Sequence, residues 1–186
     1  MFGMAGAAQA GASMTTGGAT SQPIGHYEFC KEYPRLCSIR SRDAGPIKLD
    51  DAMWQTVSAI NVAVNKAIRP MNDIDIYGKT EVWAFPTAGV GDCEDYVLEK
   101  QRLLVKAGIP TSDLLITVLR KPDGEGHAVL TVRTDIGDYI LDNLNNDIVH
   151  WSDTGYHFLK RQSSTDTGRW VSIRGGETTP SVASVD

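Results

Sequence analysis

Cys93 stands in the sequence GDCEDY, where a helix is predicted to begin. A thiolate in the first turn of a helix faces the positive end of the helix dipole and backbone N–H groups without helical partners, and both favour the ionised sulfur. Gly91 lets the chain turn tightly just before the sulfur. A cysteine is more often a small buried hydrophobic residue, but Asp92, Glu94 and Asp95 make this helix start polar. The position therefore favours a nucleophile.

His127 and Asp142 are the residues best placed to serve that nucleophile. His127 opens one predicted strand, in GHAVLTV, and Asp142 closes the next, in YILDNL. If the two strands pair around a turn near residues 136–137, His127 falls within about two residues of the position opposite Asp142. With the helix of Cys93 packed there, the three side chains would act as nucleophile, general base and the group that orients the base. The other histidines lack such surroundings, and we predict surface or packing roles for them: His26, His150 and His157.

Two predicted helices lie before the strands. Apolar residues three or four positions apart predict an amphipathic helix, which Pro70 ends; they are Met53, Val57, Ile60, Val64 and Ile68. The second helix is predicted over residues 93–107, with Asp92 as its N-cap and with Gly108 and Pro110 as its stop signal.

The strands follow the second helix. They are predicted over residues 114–119, 127–133 and 139–141, with another near 170–173, and turn-rich segments join them. Connections this short imply antiparallel neighbours. Helices followed by such strands predict an α+β fold.

Length and composition restrict the class of protein. The chain has 186 residues, of which 41% are hydrophobic and 22% charged, and its formal net charge is -5. This suffices for one domain with a buried core. An acidic chain lacks the basic surface that phosphate contacts require, so we expect no nucleic-acid partner. The apolar runs are far shorter than the roughly 20 residues that span a bilayer, so we expect no transmembrane segment.

Two further cysteines, Cys30 and Cys37, are separated by six residues in FCKEYPRLC. A close pair plus Cys93 predicts a short disulfide loop and a free thiol, although three cysteines alone do not assign the pairing. Two reduced cysteines in a loop are the alternative. A Cys30–Cys37 disulfide requires an oxidising compartment, so it predicts export, for example to the periplasm.

The ends of the chain differ in composition from its middle. The first 27 residues contain no charged side chain, and Ala8-Gln9-Ala10 fits the small-residue pattern of signal cleavage, although no basic segment precedes it. We predict a disordered or signal-derived tail over residues 1–25, a domain over 26–173 and a flexible C-terminal tail over 174–186.

The chain resembles the bacterial transglutaminase-like cysteine proteinases, a family that includes LapG-like periplasmic proteases. The resemblance covers about residues 50–160 and depends on the order and spacing of GDCEDY (91–96), GHAVL (126–130) and LDNL (141–144). It implies a papain-like or transglutaminase-like core, in which N-terminal helices pack on an antiparallel β-sheet. It also implies that Cys93, His127 and Asp142 form a catalytic triad, in which the thiolate attacks an acyl carbon and water releases the product.

The resemblance has two further implications for the site. The adhesin-releasing branch of the family depends on calcium, and Asp92, Glu94 and Asp95 match its acidic residues, so calcium is a candidate cofactor. The alternative is that three acids at a helix N-terminus stabilise the dipole and cap the helix. Trp83 matches a tryptophan that precedes the cysteine in the family, which implies a cleft wall beside a Cys93 backbone N–H acting as oxyanion donor. A core tryptophan is the other interpretation.

The leading hypothesis is a thiol-dependent peptidase that acts on an exported or cell-surface protein, and the family's precedent is a surface adhesin. Acyl transfer to an amine, instead of water, would make the same acyl-enzyme a transglutaminase. A rival hypothesis is a non-catalytic, calcium-responsive binding module, in which the acidic residues matter and Cys93 does not. A degenerate scaffold with neither property is the third.

Overall fold

The computed structural model describes residues 13–174. The helices are α1 (Ile24–Glu32), α2 (Asp51–Ala67), α3 (Asp73–Tyr77) and α4 (Cys93–Lys106), and single 3-10 turns lie at Thr111–Asp113 and Trp151–Asp153. The strands are β1 (Thr16–Thr20), β2 (Arg69–Pro70), β3 (Val90–Gly91), β4 (Leu114–Arg120), β5 (Gly126–Thr134), β6 (Gly137–Leu141), β7 (Val149–His150), β8 (His157–Ser163) and β9 (Asp166–Ile173).

The main sheet has seven strands in the order β1-β9-β8-β4-β5-β6-β7. Every neighbouring pair in it is antiparallel. The short β2 and β3 form a separate parallel pair that brings the end of α2 close to the start of α4. The predicted α+β fold, with helices preceding an antiparallel sheet, is confirmed.

The two long helices follow the predicted apolar pattern closely. The Asp50 side chain caps α2 by accepting a hydrogen bond from the Met53 backbone N–H, and Val57 and Val64 are among its buried residues. Helix α4 begins at Cys93, as predicted, and Asp92 occupies the N-cap position. The Asp92 side chain, however, accepts no capping hydrogen bond from a backbone N–H of the first turn.

The core lies between the helices and the sheet. Helix α4 packs on β4 and β5, and α2 packs on α4. Between these layers lies an apolar cluster that includes Val97, Leu104, Ile116, Leu130 and Leu141. Because neighbouring strand residues point to opposite faces, a second cluster forms on the other side of the sheet; it includes Leu119, Val129, Ile140 and Phe158.

The N-terminal boundary differs from the prediction of a tail through residue 25. Thr16–Thr20 forms β1, which pairs with β9, and α1 begins at Ile24. The sequence of β1, TGGAT, has no apolar alternation, so its strand conformation comes from pairing with β9. Residues 1–12 and 175–186, for which we predicted disordered or flexible tails, lie outside the described residues.

The predicted disulfide between Cys30 and Cys37 is present. It joins α1 to the following loop, and this loop packs tightly on β9. A Cβ atom added to Gly168 of β9 would lie 2.4 Å from the backbone oxygen of Cys37, so this approach requires glycine. Across residues 13–174, no helix combines the length and apolar character needed to cross a membrane.

Candidate active site

Cys93 is the first residue of α4, and its side chain is half-buried. Its thiol donates a hydrogen bond to the Glu94 carboxylate, with an Sγ–Oε2 distance of 2.7 Å. The backbone N–H of Ala128, at the start of β5, acts to lower the pKa of the Cys93 thiol. Gly91 allows the close turn before it, because a Cβ at this position would lie 2.7 Å from the Cβ of Asp95.

The electrostatic surroundings of Cys93 reverse the effect expected from a helix start. Burial, followed by the charges of Glu94 and Asp92, raises the pKa of the Cys93 thiol well above its ordinary value. The helix dipole acts in the opposite direction, but two adjacent acids and a low-dielectric site outweigh it. In this arrangement Cys93 is a thiol bonded to a carboxylate.

His127 and Asp142 are joined by a hydrogen bond from Nε2 to Oδ1 of 2.9 Å, and both side chains are buried. The pairing of Leu130 with Leu141 places Asp142 beside Val129, two residues from His127, in agreement with the predicted hairpin. The Leu144 backbone N–H also donates to Asp142, at 3.0 Å. Burial alone would raise the Asp142 pKa, but the hydrogen bond and charge of His127 hold that pKa below its ordinary value.

Tyr156, which the sequence analysis did not single out, completes the surroundings of Asp142. Its hydroxyl donates to Asp142 Oδ2 at 2.6 Å, and its ring packs edge-on against His127 with centroids 5.9 Å apart. Burial, followed by the bond to Asp142, raises the Tyr156 pKa, so the hydroxyl stays a donor. Tyr156 reaches the site through the connection before β8, and no local pattern indicates that contact.

Cys93 and His127 both line a cleft of about 660 Å³. Trp83 forms part of its wall, and its indole N–H donates to the Glu81 carboxylate at 2.9 Å. Trp83 is also packed in the core, edge-on to the ring of His26. Trp83 is therefore both a cleft-wall residue and a core residue, as the two interpretations from the sequence proposed. His26 is fully buried, and burial lowers its pKa to about 4, so it is a neutral packing residue.

Four buried or half-buried carboxyl groups lie next to the sulfur. Oxygen atoms of Asp73, Asp92 and Glu94 lie within 4.8 Å of one another. Burial, followed by the charge of Glu94, raises the Asp92 pKa to about 9. Burial raises the Glu94 pKa to about 7 and the Asp95 pKa to about 8. Asp92 and Asp95 therefore hold protons at neutral pH unless a cation is present.

The acidic group differs in one member from the predicted ligand set of Asp92, Glu94 and Asp95. The third residue close to Asp92 and Glu94 is Asp73, whereas Asp95 Oδ1 accepts a hydrogen bond from the Ala84 N–H at 2.8 Å. Within residues 13–174, one buried oxygen on each of Asp73, Asp92 and Asp95 has no hydrogen-bond partner. Calcium binds such carboxylate oxygens in protein sites, so this donor set fits the ion.

Comparisons with known proteins identify the family and the fold. The model of the bacterial transglutaminase-like cysteine proteinase family matches residues 16–178. Among solved structures, calcium-bound LapG of Legionella pneumophila is 23% identical and has a TM-score of 0.56, over 81% of each chain. EGTA-treated LapG of the same organism is 24% identical with a TM-score of 0.55, over 81% of this chain and 79% of that one. These likenesses show a shared fold. No curated protein matches significantly.

Proposed function

This chain belongs to the bacterial transglutaminase-like cysteine proteinase family and is a cysteine peptidase, and we propose that Cys93, His127 and Asp142 form its catalytic triad. The hydrogen bond from His127 to Asp142, beside the cleft that Cys93 lines, carries this proposal. The cleft adds support, because Cys93, His127 and Ala128 all line it.

The proposed reaction passes through an acyl-enzyme. Because His127 Nε2 bonds Asp142, Nδ1 is the nitrogen left to take the proton from Cys93. The thiolate then attacks the carbonyl carbon of the scissile peptide bond, and the imidazolium returns its proton to the leaving amine. Water, deprotonated by the same imidazole, hydrolyses the thioester and frees the sulfur. Asp142 keeps the ring oriented and stabilises its charge.

Calcium is the proposed cofactor. One solved relative is described as calcium-bound LapG, and Asp73, Asp92 and Glu94 of this chain would hold the ion, with Asp95 beside them. A bound calcium ion supplies positive charge that offsets the carboxylates responsible, with burial, for the high Cys93 pKa. Glu94 now accepts the hydrogen bond of the Cys93 thiol, so engagement of its carboxylate elsewhere would free the sulfur.

The proposed substrate is an exported or cell-surface protein, such as an adhesin, in the periplasm. The Cys30–Cys37 disulfide supports this compartment, because disulfides persist where the environment is oxidising. A cleft of about 660 Å³ has room for several side chains of an extended peptide.

Cleavage of a peptide library in the presence of calcium tests the proposed function. We expect the wild type to generate new carboxyl termini that carry the oxygen of water, and Cys93→Ser and His127→Ala to lose roughly a thousandfold in rate. His150→Ala is the matched control, a histidine of β7 outside the cleft lining. Cleavage that persists in folded Cys93→Ser would refute the nucleophile, and products joined to an added amine would indicate a transglutaminase.

A further inference from the structure

Lys160 of β8 is a basic residue in the cleft that Cys93 and His127 line. Its side chain is buried, and its Nζ donates to the Ser21 backbone oxygen at 2.9 Å and to the Ser21 hydroxyl at 3.4 Å. Lys160 and Ser21 both line the cleft. An ammonium group has three N–H donors, so at least one donor is left for a molecule that enters the cleft.

The strand register places Lys160 at a defined distance from the proposed triad. Lys160 pairs with Val118 of β4, and Val118 pairs with Ala128 of β5. Ala128 directly follows His127, and all three paired residues line the cleft. Paired residues lie on the same face of a sheet, and two strand spacings separate Lys160 from Ala128 by about 10 Å. An extended peptide covers that distance in about three residues.

Arg120 is a second basic residue on this side of the cleft. It lies two residues after Val118 on β4, so its side chain faces the same side of the sheet, and it also lines the cleft. Its guanidinium donates to the Gly124 backbone oxygen at 3.0 Å, which leaves most of its five N–H donors unused.

Within residues 13–174, neither Lys160 nor Arg120 forms an ion pair with a carboxylate, whereas Arg161, which is also buried, is paired with Asp138 at 2.8 Å. Burial lowers the Lys160 pKa, and no carboxylate of the described residues opposes that effect. A buried cation without a countercharge destabilises a fold. A carboxylate from outside the chain would therefore complete this part of the cleft.

We propose that Lys160 is a specificity-determining residue, which binds a carboxylate of the peptide substrate about three residues from the scissile bond, with Arg120 as a second donor. This proposal rests on the peptidase function proposed above. Hydrogen bonds from an ammonium or guanidinium group to a carboxylate are charge-assisted and strong. An aspartate or glutamate side chain supplies such a carboxylate, and so does a free C-terminus.

Paired peptides that carry aspartate or asparagine at one position, with amidated C-termini, test the proposal. At a position about three residues from the scissile bond, we expect aspartate to raise the kcat/KM of the wild type by about tenfold over asparagine, chiefly by lowering KM. A third peptide, which ends at that position with a free C-terminus, distinguishes a terminal carboxylate from a side chain.

Variants of the two basic residues assign the preference to its source. Lys160→Gln keeps an N–H donor for Ser21 but removes the charge, so it should lose the preference for aspartate, whereas Lys160→Arg should retain it. Arg120→Gln changes an exposed side chain and should weaken the preference, which provides a second test should Lys160→Gln fail to fold. Lys66→Gln, at an exposed lysine of α2 outside the cleft lining, is the matched control and should keep the wild-type preference.

Binding of the same peptides to Cys93→Ser, measured by fluorescence anisotropy, gives a readout that does not require cleavage. The aspartate peptide should bind about tenfold more tightly than the asparagine peptide. Equal cleavage and equal binding of the two peptides would overturn the carboxylate site and leave the peptidase function standing, as would a preference that persists in folded Lys160→Gln. If the wild type cleaves neither peptide, the peptidase function fails, and the binding measurement decides the carboxylate site separately.

Discussion

At the scale of single residues, Asp142 shows how a buried carboxylate is kept ionised. Its Oδ1 accepts from His127 and from the Leu144 N–H, and its Oδ2 accepts from Tyr156. Hydrogen bonds to a charged group each contribute roughly 1.5–3 kcal/mol. These bonds account for an Asp142 pKa below the ordinary value despite burial.

Tyr156→Phe removes one of these donors and keeps the ring that packs on His127. We expect the rate of peptide cleavage to fall by about tenfold and the Asp142 pKa to rise, because the carboxylate loses a short hydrogen bond. Because the Asp142 pKa is lower in the folded state than in the unfolded state, Asp142 stabilises the fold at pH values above its unfolded pKa. This contribution is lost as the pH falls through the folded pKa. The variant should therefore melt earlier than the wild type at neutral pH and approach it in acid.

Tyr139→Phe, which removes a hydroxyl from β6, serves as the control for that prediction. It should retain wild-type cleavage and an unchanged Asp142 titration. If Tyr156→Phe behaved like Tyr139→Phe, Tyr156 would have no part in orienting the triad.

Sequence patterns reveal some of these residues and conceal others. Cys93, His127 and Asp142 each lie at the end of an element, and the short hairpin between β5 and β6 predicts that His127 and Asp142 lie close together. Tyr156 and Asp73 reach the site from distant segments through tertiary packing. The raised pKa of Cys93 was also missed, because burial depends on the complete fold.

At the scale of elements, acidic side chains of the first turn of α4 lie close together at the active site. Asp92, Glu94 and Asp95 belong to that turn, and α3 adds Asp73. In the folded chain the pKa values of Asp92, Asp95 and Glu94 are raised to about 9, 8 and 7. The folded state therefore binds more protons than the unfolded state between about pH 4 and pH 9.

The pH dependence of stability follows from this proton uptake. Groups with raised pKa values stabilise the fold fully below their unfolded pKa values, and this contribution is lost as the pH rises through the folded values. In chelator, we expect the melting temperature to fall by about 5 °C or more from pH 5 to pH 9. Calcium should restore it at high pH, because the ion binds the folded site by mass action.

Differential scanning fluorimetry with Asp73→Asn and Asp75→Asn checks this prediction. Asp73 is buried in the acidic group and Asp75 is exposed on the same helix, α3. Asp73→Asn should flatten the pH dependence and weaken the calcium response, whereas Asp75→Asn should change neither. A chelated protein that is more stable at pH 9 than at pH 5 would contradict the account of this cluster.

Elements with a regular spacing of apolar residues were predicted from the sequence, and elements in which charged residues interrupt that spacing were not. Helices α2 and α4 and strands β4 to β6 follow from apolar spacing and turn residues. Strand β8 was not predicted, because Lys160 and Arg161 interrupt its apolar pattern. Both of these side chains are nevertheless buried. Arg161 is accommodated there by Asp138 of β6, at 2.8 Å, a pairing that sequence alone does not show.

At the scale of the whole molecule, one antiparallel sheet and one helix bring together residues 93, 127 and 142. Strand β1, which the sequence analysis placed in a tail through residue 25, adds to the N-terminal part of the domain. The family match begins at residue 16, the first residue of β1, and so agrees with the larger domain. Substrate recognition, in contrast, depends on the surfaces of the cleft, which cannot be inferred from the triad residues.

The pH dependence of Cys93 alkylation by iodoacetamide tests the catalytic triad most directly. Cys30 and Cys37 are joined in the disulfide, so Cys93 is the free thiol that reacts. Wild type and His127→Ala are compared with calcium and with chelator, and the modified peptide is quantified by mass spectrometry. We predict fast modification at about pH 5–6 with calcium, which His127→Ala abolishes and which chelator slows. Slow modification that follows the titration of an ordinary thiol, with a pKa of about 8.5, and that is unchanged by His127→Ala would contradict the triad.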